Sequence, residues 1–369
     1  MDPVPLKRVG GPRGQIPEDD RRTRQCDPFP HGFGRTGRGR PMEYTTLGST
    51  GTAVSQICLG CMSFSEDGDG WNVDRETATE IVDRAVELGV NFFDTANVYN
   101  AGESESILGD ALAEYDRDEQ VVATKVRWPG ANDHRNAVGL SRKTIEQELD
   151  HSLDRLGMDT VDLYQIHRWD DDTPIERTLG TLDDAVRRGR VRYLGASSMW
   201  AYQFAEALHT SDRRGLERFE TMQNHYNLVY REEEREVLPL CEREGIGAIP
   251  WSPLARGYLA RPDDDFETTE RGANDAEERR DRIENHYRAG GGVETNERVQ
   301  ELADERGVSM AQISLAWLLH QPAVDAPILG VSSVEHLEDA VEATEIDLSD
   351  SDMAYLEEPY EPVRVFGHE

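Results

Sequence analysis

A closed (β/α)8 barrel, the TIM-barrel architecture, is the fold this sequence predicts, and three observations predict it. Apolar runs of strand length alternate with amphipathic stretches of helical period along nearly the whole chain, the pattern of a parallel sheet joined by right-handed crossovers. The runs number eight, the count that closes such a sheet on itself. Several of them end in an ionisable residue, and in a barrel of this kind the carboxyl ends of the strands line the functional mouth.

The elements follow in order. A β-hairpin, EYTT and VSQ joined by LGSTGTA, precedes the barrel. ICLG (57–60) is the first barrel strand, and helix 74–88 follows with Gly89 as its C-cap. VNFFD (90–94) leads to helix 104–113, VVATK (121–125) to helix 141–156, and VDLYQIH (161–167) to helix 174–188. VRYLGAS (191–197) precedes helix 200–210, and FETMQN (219–224) precedes helix 232–244. GIGAIPWS (245–252) and APILG (326–330) supply strands seven and eight, the last followed by helix 334–343. Between those two strands, residues 257–293 are rich in Asp, Glu, Arg and Gly with little apolar pattern. They are expected to form a long exposed loop that orders on ligand binding, before helices 294–306 and 310–320 return the chain to the barrel.

Composition narrows the function. The net charge of −33 comes from 73 acidic and 40 basic residues, a field that repels nucleic acid and anionic membrane surfaces. Only Lys7, Lys125 and Lys143 among the basic residues are lysine. Acid excess with arginine in place of lysine reads as a haloarchaeal surface adapted to high salt, where a Debye length of about 3 Å at 1 M makes dense carboxylates tolerable. No apolar run reaches the roughly 20 residues that span a bilayer, nor is there an apolar signal-peptide core near the start, so a cytoplasmic protein is expected. Residues 1–41 carry nine basic and five acidic residues with many Gly and Pro, and are expected to form a disordered extension. Met42, which opens a clean strand-like segment, is the expected true start of a single barrel domain spanning 42–369. Cys58 and Cys61 form a C-x-x-C inside the apolar run ICLGCM; with no second pair or histidine cluster beside it, packing is the expectation and no metal site is assigned.

The strand ends carry the chemistry. Strand two ends in Asp94 with Tyr99 shortly after, strand three in Lys125, and strand four in His167. Lysine, unlike arginine, is a compact cation whose pKa responds to its surroundings. Beside a tyrosine it is expected to favour the phenolate and lower the tyrosine pKa from about 10, making Tyr99 a general acid, while Asp94 keeps Lys125 charged. His167 is placed to donate a hydrogen bond to a carbonyl oxygen. Trp128, three residues past Lys125, is the candidate wall of a substrate pocket.

GVNFFDTANVY, ATK and DLYQIH, in this order and spacing, resemble the aldo-keto reductase superfamily over 42–360. ASSMW, QNHYNLVYREEE and IPWSPLARG are most similar to its bacterial and archaeal reductases related to potassium-channel β-subunits. The resemblance implies a (β/α)8 barrel that reduces a small aldehyde or ketone with a nicotinamide cofactor, using Asp94, Tyr99, Lys125 and His167; a cofactor-bound redox sensor or regulatory subunit is the alternative. It implies that Ser197, Ser198 and Gln223 hold the nicotinamide carboxamide and that Trp251 stacks on the ring. It further implies that Ser252, Leu254, Arg256 and Gly257 line the pyrophosphate. After strand eight, Gly330 stands where the family commonly has lysine, Ser332 replaces a charged contact and His336 stands where arginine or glutamine is common. NADP(H) is the cofactor the resemblance implies, with NAD(H) open.

Overall fold

The computed structural model describes residues 42–132, 134–268 and 283–368. The extension 1–41 and the central part of the 257–293 insertion lie outside the described residues. A hairpin of β1 (Tyr44–Thr46) and β2 (Ala53–Ser55) pairs antiparallel ahead of the barrel. The barrel strands are β3 (Cys58–Gly60), β4 (Phe92–Asp94), β5 (Val121–Val126), β6 (Val161–Ile166), β7 (Val191–Ser197), β8 (Phe219–Gln223), β9 (Gly247–Ala248) and β10 (Ile328–Leu329). They pair in parallel in the order β10-β3-β4-β5-β6-β7-β8-β9. Single bridges Ala248↔Val324 and Trp251↔Ile328 join the two ends and close the ring.

Helices α1 (Arg75–Glu87), α2 (Glu103–Leu112), α3 (Arg142–Leu156), α4 (Ile175–Arg187), α5 (Ala201–Arg214) and α6 (Val237–Glu244) connect successive strands. Their starts follow local chemistry: the Asp74 side chain accepts from Thr77 N at 2.8 Å before α1, and Ser141 Oγ accepts from Thr144 N at 3.2 Å before α3. Helices α7 (Gly292–Arg306) and α8 (Met310–Leu319) precede β10, and α9 (Val334–Glu342) and α10 (Asp350–Glu357) follow it. Among the described residues no helix is long and apolar enough to cross a membrane.

Four expectations shift, each for a local reason. Strand seven, expected over 245–252, pairs regularly only at Gly247–Ala248, and strand eight only at Ile328–Leu329. Pro250 and Pro327 lack the N–H that a central ladder needs. The helix expected over 232–244 splits into a 3-10 turn Glu232–Arg235 and α6, because the Pro239 ring clashes with the carbonyl four residues earlier. The insertion after strand seven is not simply an exposed loop at its ends. Tyr258, Leu259 and Tyr287 are buried, and Asn296 Nδ2 donates to Tyr258 O at 2.8 Å. A tail after α10, unanticipated along with α10 itself, turns back across the barrel: Glu361 N donates to Gly290 O at 2.8 Å. Gly291, at φ 81°, passes so close to Pro359 O that a Cβ would sit 1.8 Å from it, so only glycine admits the tail there.

Candidate active site

Successive strand residues point to opposite faces, so every second residue enters the barrel. Phe92, Ala123 and Leu163 form an apolar layer with Cys58 and Ile249. Two residues further along the same strands come Asp94, Lys125 and Gln165, with register pairs Asp94↔Ala123 and Lys125↔Gln165. A polar layer thus lies on an apolar plug, with Asp94, Lys125 and Gln165 all buried.

Lys125 Nζ donates to Asp94 Oδ1 at 2.5 Å, to Thr95 O at 2.9 Å and to Tyr99 OH at 3.1 Å. All three ammonium donors are therefore spent, which is what allows a lysine to be wholly buried. The second oxygen of Asp94 accepts from Gln165 Nε2 and Gln223 Nε2, each at 2.9 Å. The Tyr99 ring meets the His167 ring edge to face, with centroids 5.7 Å apart. Asp94, Tyr99, Lys125 and His167 are thus brought together at the strand ends.

The electrostatics differ from the expectation at one point. Burial would push the Lys125 pKa down, but Asp94 and Tyr99 outweigh it and hold the ammonium above its ordinary range. For Tyr99, burial is the largest influence and raises its pKa; the Lys125 charge pulls it down and is outweighed. The expected lowering of the Tyr99 pKa is therefore corrected: the phenol keeps its proton more firmly than in water, which suits a proton donor rather than a standing phenolate. Burial, then Lys125 and Arg168, drive the His167 pKa well below the imidazole range, so His167 is neutral. Its Nδ1 is buried without a partner among the described residues. An orphaned buried N–H is rarer than an orphaned acceptor, which assigns the single proton to Nε2.

On the opposite wall, Ser198 adopts a left-handed φ of 47°. Its N–H donates to Asn224 Oδ1 at 3.1 Å, and Ser197 Oγ donates to Gln223 O at 2.9 Å. Trp251 Nε1 donates to Ser198 Oγ at 2.9 Å, and the Trp251 ring lies 4.2 Å from His225 at an interplanar angle of 11°. His225 stacks in turn on Tyr230 at 4.3 Å. The tail closes this wall. Phe366 N donates to Tyr230 OH at 3.2 Å, the Phe366 ring meets His225 at 4.6 Å, and His368 Nε2 lies 2.8 Å from the buried Glu233. Glu233 in turn accepts from Asn224 Nδ2 at 2.5 Å. Gln223, expected to face a carboxamide, spends Nε2 on Asp94 and Gln165, while its Oε1 accepts from no described residue.

The next loop fits a phosphate-bearing ligand by its backbone. Ser252, Ala255 and Arg256 have φ of 53°, 48° and 59°, and Gly257 has 94°. Left-handed non-glycine residues are costly and gather at functional sites, and turns of this kind form concavities for anions. Asn227 Nδ2 steadies the loop by donating to Ser252 O at 2.9 Å. After β10 the surface is barer. A Cβ on Gly330 would meet nothing nearer than 4.0 Å, Ser332 Oγ lies 3.1 Å from His336 Nδ1, and the first turn of α9 holds Glu335 and no basic residue.

Trp128 is half-exposed, with the Arg127 guanidinium 4.7 Å from its ring centre and Asn97 Nδ2 donating to its carbonyl at 2.9 Å. Cys58 and Cys61 are unbridged and buried, and burial raises both thiols well above their ordinary range. Gln165, Asn224, Glu233 and the tail escaped the sequence reading. Gln165 alone left a signal, a polar residue at an inward position of VDLYQIH.

Residues 56–361 match the Aldo/keto reductase family. A candidate aryl-alcohol dehydrogenase of Schizosaccharomyces pombe is 41% identical over 352 residues, covering 89% of this chain and 98% of its own. The versiconal hemiacetal acetate reductase of Aspergillus parasiticus is 38% identical over 344 residues, covering 87% and 98%. An aldo-keto reductase of Metarhizium robertsii is 41% identical over 359 residues, covering 89% and 93%. These relatives are fungal, and nothing in them marks the potassium-channel β-subunit branch or a haloarchaeal source. The chain belongs to the aldo/keto reductase family.

Proposed function

We propose that this member of the family reduces aryl aldehydes and related carbonyl compounds to alcohols with a bound nicotinamide dinucleotide. The observation that carries the reading is Tyr99 OH, 3.1 Å from a fully buried lysine that Asp94 keeps charged, with neutral His167 beside it. The carbonyl oxygen is received between Tyr99 OH and His167 Nε2. Tyr99 donates the proton to the developing alkoxide, and Lys125 stabilises the phenolate left behind. Asp94 is a positioning residue that acts through Lys125 and is itself held by Gln165 and Gln223. The reduced nicotinamide supplies hydride when bound. Ser197, Ser198 and Gln223 Oε1 would hold its carboxamide, Trp251 would offer a stacking plane, and the left-handed residues Ser252, Ala255, Arg256 and Gly257, with Leu254, would receive the pyrophosphate.

NADP(H) is the proposed cofactor, bound with little discrimination against NAD(H). Gly330, Ser332 and His336 offer hydroxyls and an imidazole but no lysine or arginine for a 2′-phosphate. Relatives named as aryl-alcohol dehydrogenases support the aryl class. Oxidation of NADPH and of NADH with a panel of substituted benzaldehydes in molar KCl tests the reading. Turnover with both cofactors, at kcat/KM values within about tenfold, is expected; tight cofactor binding with no turnover of any aldehyde would overturn it.

A further inference from the structure

Arg168 follows His167 directly at the site's mouth, and differs from Arg117, Arg155 and Arg298 in what it faces. Arg117 meets Asp162 at 2.6 Å, Arg155 meets Glu105 at 2.7 Å, and Arg298 meets Glu294 at 2.7 Å. Among the described residues no carboxylate pairs with Arg168. Its Nη1 donates to His167 O at 2.7 Å and reaches Ser197 Oγ at 3.5 Å, and its Nε and Nη2 donate to no described residue. Burial pushes the guanidinium pKa down, with only Tyr99 opposing. The Arg168 charge in turn acts on both Tyr99 and His167. A cation therefore stands beside the groups that receive the carbonyl, with one edge of its fork unengaged.

Carboxylates are not scarce in a chain of 73 acidic and 40 basic residues, yet none is placed here. A partly buried cation without a counter-ion is costly, so the partner is one that arrives. Cofactor phosphates do not fill the role. The segments that fit them follow β9 and β10, which lie three and four strands from β6 around the ring. The Nε–Nη2 edge of a guanidinium is the geometry that receives a carboxylate at two points.

We propose that Arg168 binds a carboxylate carried by the substrate, so that this site takes oxo acids in preference to uncharged carbonyl compounds. The assignment rests on the carbonyl-reductase reading above and makes Arg168 a specificity-determining residue. Phenylglyoxylate, 3-formylbenzoate and 4-formylbenzoate, each beside its methyl ester, span a range of carboxylate-to-carbonyl spacings. In molar KCl at least one acid exceeds its ester in kcat/KM, with the difference carried in KM. Arg168→Gln lowers that acid-to-ester ratio on the order of 10- to 100-fold, the range of a charge-assisted hydrogen-bonded contact, and Arg168→Lys falls between. Calorimetric binding of benzoate to the NADP-loaded protein weakens in the same order, independently of turnover. Esters preferred in every pair, equal loss on acid and ester in Arg168→Gln, or benzoate binding indifferent to the substitution overturns the proposal. Benzoate binding that depends on Arg168 without turnover of any acid or ester keeps the anion site and removes the reductase reading.

Discussion

On the wall built by β4, β5 and β6, side chains from the strand ends hold one another directly: Asp94 is joined to Lys125 on the next strand at 2.5 Å and to Gln165, two strands away, at 2.9 Å. On the facing wall Trp251 is held through intermediaries, with Ser198 Oγ at its indole N–H and His225 on its face, and Phe366 from the end of the chain braces His225. The first wall is electrostatic and local to a few strand ends. The second is a stack of rings whose last member lies more than a hundred residues from the first in sequence. Damage to the first should therefore strike proton transfer, and damage to the second should strike binding.

The sharpest break of that contrast is Tyr99→Phe. It keeps the ring against His167 and removes only the hydroxyl, so turnover should fall by about 10²- to 10⁴-fold, while NADPH titrated by fluorescence binds as before. Lys125→Arg comes next. The pocket gives Nζ three acceptors and no exposure, and a planar fork neither fits that volume nor points its donors the same way. A loss of about 100-fold in kcat is expected; full activity would show that a compact cation is not required. Phe366→Ala tests the other wall with a smaller effect. Losing an aromatic edge contact of about 0.5–1.5 kcal/mol should weaken NADPH binding roughly three- to tenfold, with kcat at saturation barely altered. A kcat loss without a change in cofactor affinity would erase the distinction between the walls.

The same contrast explains what the sequence disclosed. Asp94, Lys125 and His167 were legible as ionisable residues at the ends of apolar strands, and Tyr99 as one in the loop just after such an end, because the barrel topology sends all such ends to one mouth. Trp251 was legible by its place after a strand, but what holds it was not. Phe366 and His368 lie in a polar tail without periodicity, and only tertiary packing gives them partners. The direction of the Tyr99 shift was also beyond sequence, since the sign depends on burial against one nearby charge and burial is a property of the assembled fold. The apolar runs of strands seven and eight extend past their regular pairing, because Pro250 and Pro327 lack the N–H that would continue the ladder.

The smallest expected effect is an absence of change, and it reports on the electrostatic wall alone. In the proposed reaction, reduction needs Tyr99 protonated and His167 neutral. Tyr99 titrates above its ordinary value of about 10, so raising the pH removes the acid only beyond that point. His167 titrates well below about 6.5, so lowering the pH charges the imidazole, against Lys125 and Arg168, only in the acid range. The profile of kcat/KM for an uncharged aldehyde should thus be level from about pH 6.5 to about pH 9.5. An acid limb centred near 6.5 would mean that His167 feels neither the burial nor the cations around it. Lys125→Met should move that limb part of the way up towards neutrality by removing the charge that, after burial, depresses His167 most, even as turnover falls. Phe366→Ala should leave both limbs where they are, because the ring stack carries no charge to the proton donor.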